Sequence, residues 1–279
     1  MTDMTPLMAL SQWLAQQHRA GQDIPALLQS SMHAGWDADS AVTAVEMALG
    51  IKLAPASRIP APLFRNKTCL DVGDRQVKVV LSMAHPNILV VDNMLSDEEC
   101  AALIEEARGR LARSVIYNVQ TGELGQGQER TSQSAGFGLR ESPLISRIEQ
   151  RLEKFLAWPI DWGEGLQVQR YGIGNQYLPH HDYFAPSTSE KYVLTSQRVA
   201  TVLLYLNEPD EGGGTAFTDV QLEIAPRRGT AVFFAYDRPY PTTKTRHAGC
   251  PVLSGEKWVA TKWLRNGAIA APAAAAAVL

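Results

Sequence analysis

A chain of 279 residues is long enough for one large domain, or for a large domain and a small one. Its apolar content of 45% and charged content of 20% are ordinary for a globular protein. The net charge of −3 gives no general attraction to nucleic acid or anionic lipid, and no apolar run approaches the roughly 18–20 residues that span a bilayer.

The first ten residues, MTDMTPLMAL, lack the charged and apolar regions of a signal peptide. Residues 5–50 read as three short helices. The first opens at Thr5-Pro6 and stops at Gly21. The second follows Asp23 with Pro25 in its first turn and stops at Gly35. The third begins near Asp37 or Asp39 and stops at Gly50. The stretch MHAGWDADSAVTAVEMALG loosely resembles ubiquitin-associated three-helix modules. The simpler expectation is a small helical domain over residues 1–53, packed on a larger one.

APASRIPAP (54–62) carries three prolines in nine residues and no helical or strand period. It begins a linker and lead-in segment assigned to 54–80, ahead of a main domain at 81–267. NILVVDNML (87–95) reads as a buried strand. Ser96 then opens a helix with Glu99 three positions on, a capping-box pattern, and Cys100, Leu103, Ile104, Ala107 and Leu111 share one face. A second helix covers about 143–156, with Leu144, Ile145, Ile148 and Leu152 inward. Cys69, Cys100 and Cys250 are odd in number and include no CxxC pair. That speaks against a disulfide framework and leads to the expectation of a reducing, cytoplasmic setting.

After residue 165 the period changes to two. LQVQRY alternates, and RVATVLLYLN (198–207), TAVFFAY (230–236) and KWVATKWLR (257–265) are short β-rich runs punctuated by PDEGGGT, APRRGT and GCPVLSGE. Helices come first and strands later, so the class expected is α+β with a sandwich or barrel core. The alanine-rich tail 268–279 is low-complexity and is expected to be poorly ordered.

One stretch carries chemistry. In YLPHHDYF (177–184), residues two apart in a strand face the same way, so His180 and Asp182 project together and His181 points away. One histidine and one carboxylate are two thirds of the facial triad that holds non-haem Fe(II). Among six histidines, His18 and His33 lie in the helical segment and His85 precedes the core. His247, 65 residues after Asp182 and between strand-like runs, is the natural third ligand. The competing reading of the same stretch is an aromatic strand with hydrogen-bonded core histidines, and an H-x-D alone does not separate the two. GGGT is followed by no GK[ST] and reads as a tight turn, not a phosphate loop.

YGIGNQYLPHHDYF, RVATVLLYLNEPDEGGGTAF, APRRGTAVFF and RHAGCPVLSGEKWVATKW stand in the order in which similar motifs occur in prolyl 4-hydroxylases, a branch of the Fe(II)/2-oxoglutarate-dependent dioxygenases. The resemblance spans about residues 86–266. It implies a double-stranded β-helix, or jelly roll, flanked by helices. It implies Fe(II) on His180, Asp182 and His247, with 2-oxoglutarate and O2 as co-substrates and ascorbate as an accessory reductant. Lys257, ten residues beyond His247, matches the lysine that pairs with the far carboxylate of 2-oxoglutarate, and Tyr171 and Thr215 match residues that hydrogen-bond it. Arg198, Trp263, Tyr177 and, more loosely, Arg130 match positions on the side of the peptide substrate.

The activity implied is hydroxylation of a prolyl residue at C4 in a peptide or protein, with release of succinate and CO2. The carboxylate at Asp182 favours hydroxylation over halogenation, in which related enzymes carry a small residue there. A free amino acid or small metabolite is the alternative acceptor. Its ammonium and carboxylate would need partners at the mouth, for which Asp161, Glu164 and Arg265 are candidates. A non-catalytic binding scaffold is a third reading, disfavoured by the intact HxD…H…K set. The sequence assigns no nucleic-acid or membrane partner and no oligomeric state.

Overall fold

Helix α1 (Met4–Arg19), α2 (Ile24–His33) and α3 (Ala38–Leu49) open the chain in a computed structural model that describes residues 4–62, 67–118, 123–186 and 196–269. Their starts follow from side chains that take up orphan backbone donors. Asp23 accepts from the Ala26 N–H and Asp37 from the Ser40 N–H, each at 2.9 Å. Gly50 ends α3 in the left-handed region at φ 64°. Leu14, Leu27, Leu28, Ala44 and Val45 make a small core of their own, into which Tyr240, from far along the chain, is also buried.

Beyond the proline-rich stretch come β1 (Cys69–Asp71), β2 (Gln76–Met83) and β3 (Asn87–Asp92), then α4 (Asp97–Arg108). Much of 69–80, read from the sequence as linker and lead-in, is therefore strand. The expected strand 87–95 stops at Asp92, because Asn93 turns at φ 64° and the Met94 and Leu95 N–H groups are spent on the Gly229 carbonyl. Strands β4 (Ala112–Arg113), β5 (Ile116–Asn118), β6 (Glu123–Gly125) and β7 (Gln133–Gly136) precede α5 (Pro143–Leu156). The capping box on α4 is present in both halves: Ser96 Oγ accepts from the Glu99 N–H, and Glu99 accepts from the Ser96 N–H.

The rest is strand: β8 (Gln167–Tyr171), β9 (Tyr177–His180), β10 (Arg198–Tyr205), β11 (Glu211–Gly212), β12 (Thr215–Phe217), β13 (Leu222–Ile224), β14 (Ala231–Ala235), β15 (His247–Gly249), β16 (Val252–Ser254) and β17 (Lys257–Arg265). A nine-stranded antiparallel sheet runs β1-β2-β3-β14-β10-β17-β8-β7-β4, and a four-stranded sheet runs β13-β12-β15-β9. They pack face to face as the jelly roll expected from the sequence, with α4 and α5 on the outer face of the larger sheet. No described helix is long and apolar enough to cross a membrane. The tail beyond residue 269 lies outside the described residues.

Two cores cover the two faces of the large sheet, which is why its central strands are apolar throughout rather than alternating. On β14, Ala231, Phe233 and Ala235 face the helices, whereas Val232 and Phe234 face the smaller sheet. The same period-two rule divides β17. Trp258, Ala260 and Leu264 join the helix side. Val259 joins the space between the sheets, and Lys257, Thr261 and Trp263 share its face. Lys262, on the helix side, ends on Glu149 of α5 at 2.6 Å, both fully buried.

A second buried ion cluster ties the helices to the sheet edge. Arg151 of α5 holds Glu99 of α4 through two bonds of 2.8 and 2.9 Å and reaches Asp74 at 2.5 Å. Burial would raise the Glu99 carboxyl. Bonds from Arg151 and the Ser96 N–H more than reverse this and bring it down to about 2. Glu99 therefore contributes stability that is fully present above its unfolded value near 4.5 and is lost as pH falls through about 2. Arg151→Met should lower the free energy of unfolding at pH 7 by about 1.5–3 kcal/mol: it removes the two-bond partner of a buried carboxylate, which keeps Arg147 at 3.1 Å and Arg75 at 3.6 Å. In urea titrations, Glu99→Gln should flatten the loss of stability that the wild type shows between pH 4.5 and 2.

Candidate active site

Strands β9 and β15 pair so that His180 stands directly across from His247, with ring centroids 4.4 Å apart. Asp182 lies two residues past the end of β9, so a bend after the strand, rather than strand pleating, brings its carboxylate back. Its oxygens reach within 3.6 Å of the Nε2 atoms of both histidines. The three donor atoms all lie within 4.8 Å of one another, the single such group of metal-ligating side chains among the described residues.

The orientation of each ring is fixed from behind. His180 Nδ1 is 2.8 Å from the Leu178 carbonyl and His247 Nδ1 is 3.0 Å from the Thr245 carbonyl. A carbonyl only accepts, so Nδ1 carries the proton and the Nε2 lone pair faces the centre. Asp182 Oδ2 accepts from Thr201 Oγ1 at 2.7 Å, and that hydroxyl is 2.9 Å from the Tyr236 hydroxyl. Burial would raise the Asp182 carboxyl, but the neighbouring His247 and the hydrogen bond with His180 hold it well below the ordinary range. Burial and the neighbouring His180 bring His247 down to about 4, so it is a neutral donor at pH 7. Two imidazoles with Nε2 toward the centre and one carboxylate, with room beyond them, suit Fe(II). His181, one residue past the end of β9, stands outside this group of three. Its ring stacks on Tyr183 at 4.6 Å.

Behind the cluster is a small cavity lined by Tyr171, Thr215, Lys257, Val259 and Thr261, with His180, Asp182 and His247 at one end. Lys257 is 3% exposed and stands across from Tyr171 in the β17–β8 register. Its Nζ lies 5.6 Å from the Tyr171 ring centre and 5.4 Å from that of Tyr205, and no ion pair to it occurs among the described residues. Burial lowers its pKa to about 8, partly opposed by Cys250 and Glu223. A buried ammonium with no carboxylate on it is costly unless an anion comes to it. Thr215 Oγ1 accepts from the Tyr205 hydroxyl at 2.7 Å, leaving its own proton to donate. The GGGT turn makes room here: at Gly213, with φ +71°, an added Cβ would press to 3.3 Å from Lys257 Cδ.

On the other side of the cluster a groove of about 1500 Å³ is bordered by Arg130, Tyr177, Arg198 and Trp263. Tyr177 stacks flat on His180, centroids 3.5 Å apart. The Arg130 guanidinium lies 5.1 Å above the Tyr177 ring and is held by Gln167 at 2.7 Å and Ser132 at 3.2 Å. The Trp263 Nε1–H is buried and without a partner.

Arg198 differs from its expected place as an open donor at the mouth. Its Nε and Nη2 are both taken by Glu164 at 2.6 Å, and its guanidinium is sandwiched between Phe184 and Trp263. Only Nη1 faces the metal ligands, 3.4 Å from the Asp182 carbonyl. Arg265 also binds Glu164 at 2.9 Å. Asp161 pairs with Arg140 at 2.5 Å on the surface, outside the groove. Of the three residues considered as partners for a free amino acid, two are thus committed to each other and the third is elsewhere.

Three contributing residues escaped the sequence reading, Thr201, Tyr205 and Tyr236, and Glu164 was read as a partner for a free amino acid rather than for Arg198. Thr201 had a signal, since a hydroxyl in the middle of RVATVLLY needs a buried partner. The others required the strand register.

Residues 166–265 match the model of the 2OG-Fe(II) oxygenase superfamily. Prolyl 4-hydroxylase subunit alpha-1 of Rattus norvegicus is 36% identical over 205 residues, covering 70% of this chain and 38% of that protein. The chain therefore spans well under half the length of that relative. The probable prolyl 4-hydroxylase 3 of Arabidopsis thaliana is 35% identical over 216 residues, 70% of this chain and 74% of that one. Among solved structures, a viral collagen prolyl hydroxylase from Paramecium bursaria Chlorella virus-1, in a 2OG complex, aligns with a TM-score of 0.51 at 30% identity, over 64% of this chain and 95% of that one. With likeness on this scale over most of a relative's length, the chain belongs to the 2OG-Fe(II) oxygenase superfamily, in its prolyl 4-hydroxylase branch.

Proposed function

We propose that the protein is an Fe(II)- and 2-oxoglutarate-dependent dioxygenase that hydroxylates a prolyl residue at C4 in a peptide or protein, releasing succinate and CO2. The observation that carries this reading is one line of features. An anion-seeking Lys257 lies at the closed end, His180, Asp182 and His247 stand in the middle, and a groove opens beyond them. His180, Asp182 and His247 would hold Fe(II), which supplies the activation of O2 when bound. Lys257, Thr215 and Tyr171 would hold the far carboxylate of 2-oxoglutarate away from water. Arg130, Tyr177, Arg198 and Trp263 would border the acceptor.

The chain's own contribution is orientation. The Leu178 and Thr245 carbonyls keep both histidines in the ligating tautomer, and Thr201 holds one carboxylate oxygen of Asp182. A groove of about 1500 Å³ exceeds the roughly 300–1,000 Å³ of small-molecule pockets. That favours a peptide over a free amino acid, as does the commitment of Glu164 and Arg265 to each other. Three free cysteines fit a reducing compartment, for which we propose the cytoplasm.

The test is mass spectrometry of proline-rich peptides, with collagen-like sequences first because the viral relative carries that name, and of host lysate. Each is incubated with enzyme, Fe(II), 2-oxoglutarate and ascorbate as the reductant that keeps the metal ferrous. One oxygen added at proline is expected. Full activity on free proline with none on peptides would overturn the peptidyl assignment.

A further inference from the structure

The groove does not end at the jelly roll. The cavity that begins at His180, Asp182 and Trp263 continues past Tyr183, Pro241 and Arg246 to Pro25 and Gln29. These last two belong to α2, in the N-terminal helical domain, and are four residues apart. They therefore stand one above the other on one face of that helix. Pro25 is exposed and Gln29 half-buried, whereas Leu27 and Leu28 are turned into the domain's own core.

The helical domain is held in that position. The connection from β14 to β15, which leads to His247, carries a 3-10 turn at Pro241–Thr243, and α2 packs on it. Tyr240, just before the turn, is 5% exposed and inserted among Leu14, Leu27 and Leu28. The Asp237 carbonyl accepts from the Ser57 N–H at 2.6 Å, and Arg238 reaches Asp39 of α3 at 3.5 Å. One connection thus anchors the helical domain and supplies the groove wall between that domain and the metal ligands.

We propose that α2 is the outer wall of the acceptor groove, and that Pro25 and Gln29 contact the substrate chain several residues away from the hydroxylated proline. This rests on the prolyl hydroxylase reading and extends it to the acceptor's length. An extended peptide presents one N–H and one C=O per residue. The Gln29 amide donates and accepts, and so suits either group. The Pro25 ring offers an apolar surface for a side chain beside it. The occupant is the acceptor polypeptide itself, so the helical domain makes the enzyme read a longer stretch than its catalytic core would.

The experiment uses the full chain and two blocked peptides that share one proline-centred tripeptide. One is the tripeptide alone, and the other has about nine residues, a span of roughly 30 Å when extended. Wild type is expected to show a lower KM for the longer peptide. Gln29→Trp, which fills the outer groove, should raise the KM for the longer peptide about tenfold, the loss of one hydrogen-bonded contact, and so narrow the ratio of the two KM values. Met47→Ser on α3, 43% exposed and outside the groove, should keep the wild-type ratio. A benzophenone side chain at position 29 should cross-link the longer peptide on illumination, and one at position 47 should not.

Thermal unfolding of each variant reports folding separately. A wild-type ratio in a folded Gln29→Trp, with no cross-link from position 29, overturns the role of α2 while leaving prolyl hydroxylation intact. Wild type that adds oxygen to no proline peptide of either length overturns the parent reading instead.

Discussion

Lys257→Ala should raise the 2-oxoglutarate concentration for half-maximal succinate formation by roughly two to three and a half orders of magnitude, with the Fe(II) requirement unchanged. The side chain is buried in the inner cavity and is not one of the three ligand groups that set iron affinity. Without it, a dicarboxylate would bury one carboxylate against Thr215 and Tyr171 with no cation. Losing one partner of a buried ion pair costs about 3–5 kcal/mol, and 1.4 kcal/mol is tenfold. Unchanged dependence on 2-oxoglutarate would remove Lys257 from the co-substrate site.

The same residue gives the wild type a pH signature. Burial lowers Lys257 to about 8 in the free protein, so below that pH the ammonium is already present and binding of a carboxylate needs no proton. Above it the site must take up a proton to bind, and apparent affinity should fall about tenfold per pH unit. The linked stability has the opposite sense. A lysine with a depressed folded pKa destabilises the ligand-free protein below about 8, and that burden lifts as pH rises toward 10.5. Succinate assays at pH 7 and 9 should show the loss of affinity in wild type and its absence in Lys257→Ala.

What was legible in the sequence was local. Helix starts and stops at Asp23, Asp37, Gly50 and Ser96 are set within one turn of backbone, and each lies where punctuation predicts. The strand cores were legible as apolar runs, but strand ends were not. β3 stops at Asp92 because Asn93 turns there and a carbonyl from Gly229, far along the chain, takes the Met94 and Leu95 N–H groups. His180 and Asp182 were found by assuming a strand through both. The two side chains do meet, although the strand ends at His180, because the bend beyond it also brings Asp182 to the histidines.

Period two also places Lys257 and Lys262 on opposite faces of β17, but it does not say which face is inside the barrel. Only the packing of α5 decides that Lys262 meets Glu149 and Lys257 meets the cavity. The pairing of Glu164 with Arg198 stayed hidden for the same reason. The guanidinium is 34 residues on, and their meeting depends on how β10 and β17 are aligned.

That pairing changes what Arg198 is able to do, and with it the second large effect. A guanidinium with Nε and Nη2 fixed on Glu164 is no longer an adaptable donor. It is a rigid one, whose remaining Nη1 lies 3.4 Å from the Asp182 carbonyl. Phe184 and Trp263 clamp both of its faces, at 4.7 and 4.3 Å. Such a group would set the depth and angle of an acceptor lying on the Trp263 ring. Arg198→Ala should therefore lower hydroxyproline formed per 2-oxoglutarate consumed by about 100-fold, the scale of an ångström-sized misplacement. 2-Oxoglutarate should still be consumed, slowly and uncoupled, because Lys257, Thr215 and the three ligand residues are untouched.

Arg265 remains on Glu164 at 2.9 Å, so the carboxylate is not left alone and the variant should fold. Glu164→Gln is the complementary change. It takes the carboxylate from the buried Arg198 guanidinium, whose Nε and Nη2 both bond it, and should lower the unfolding temperature more than Arg198→Ala does. Arg198→Lys should keep the charge, lose the two-point grip on Glu164, and couple only in part. Full coupling in Arg198→Lys would mean that charge alone suffices, and full coupling in Arg198→Ala would remove the residue from acceptor placement altogether.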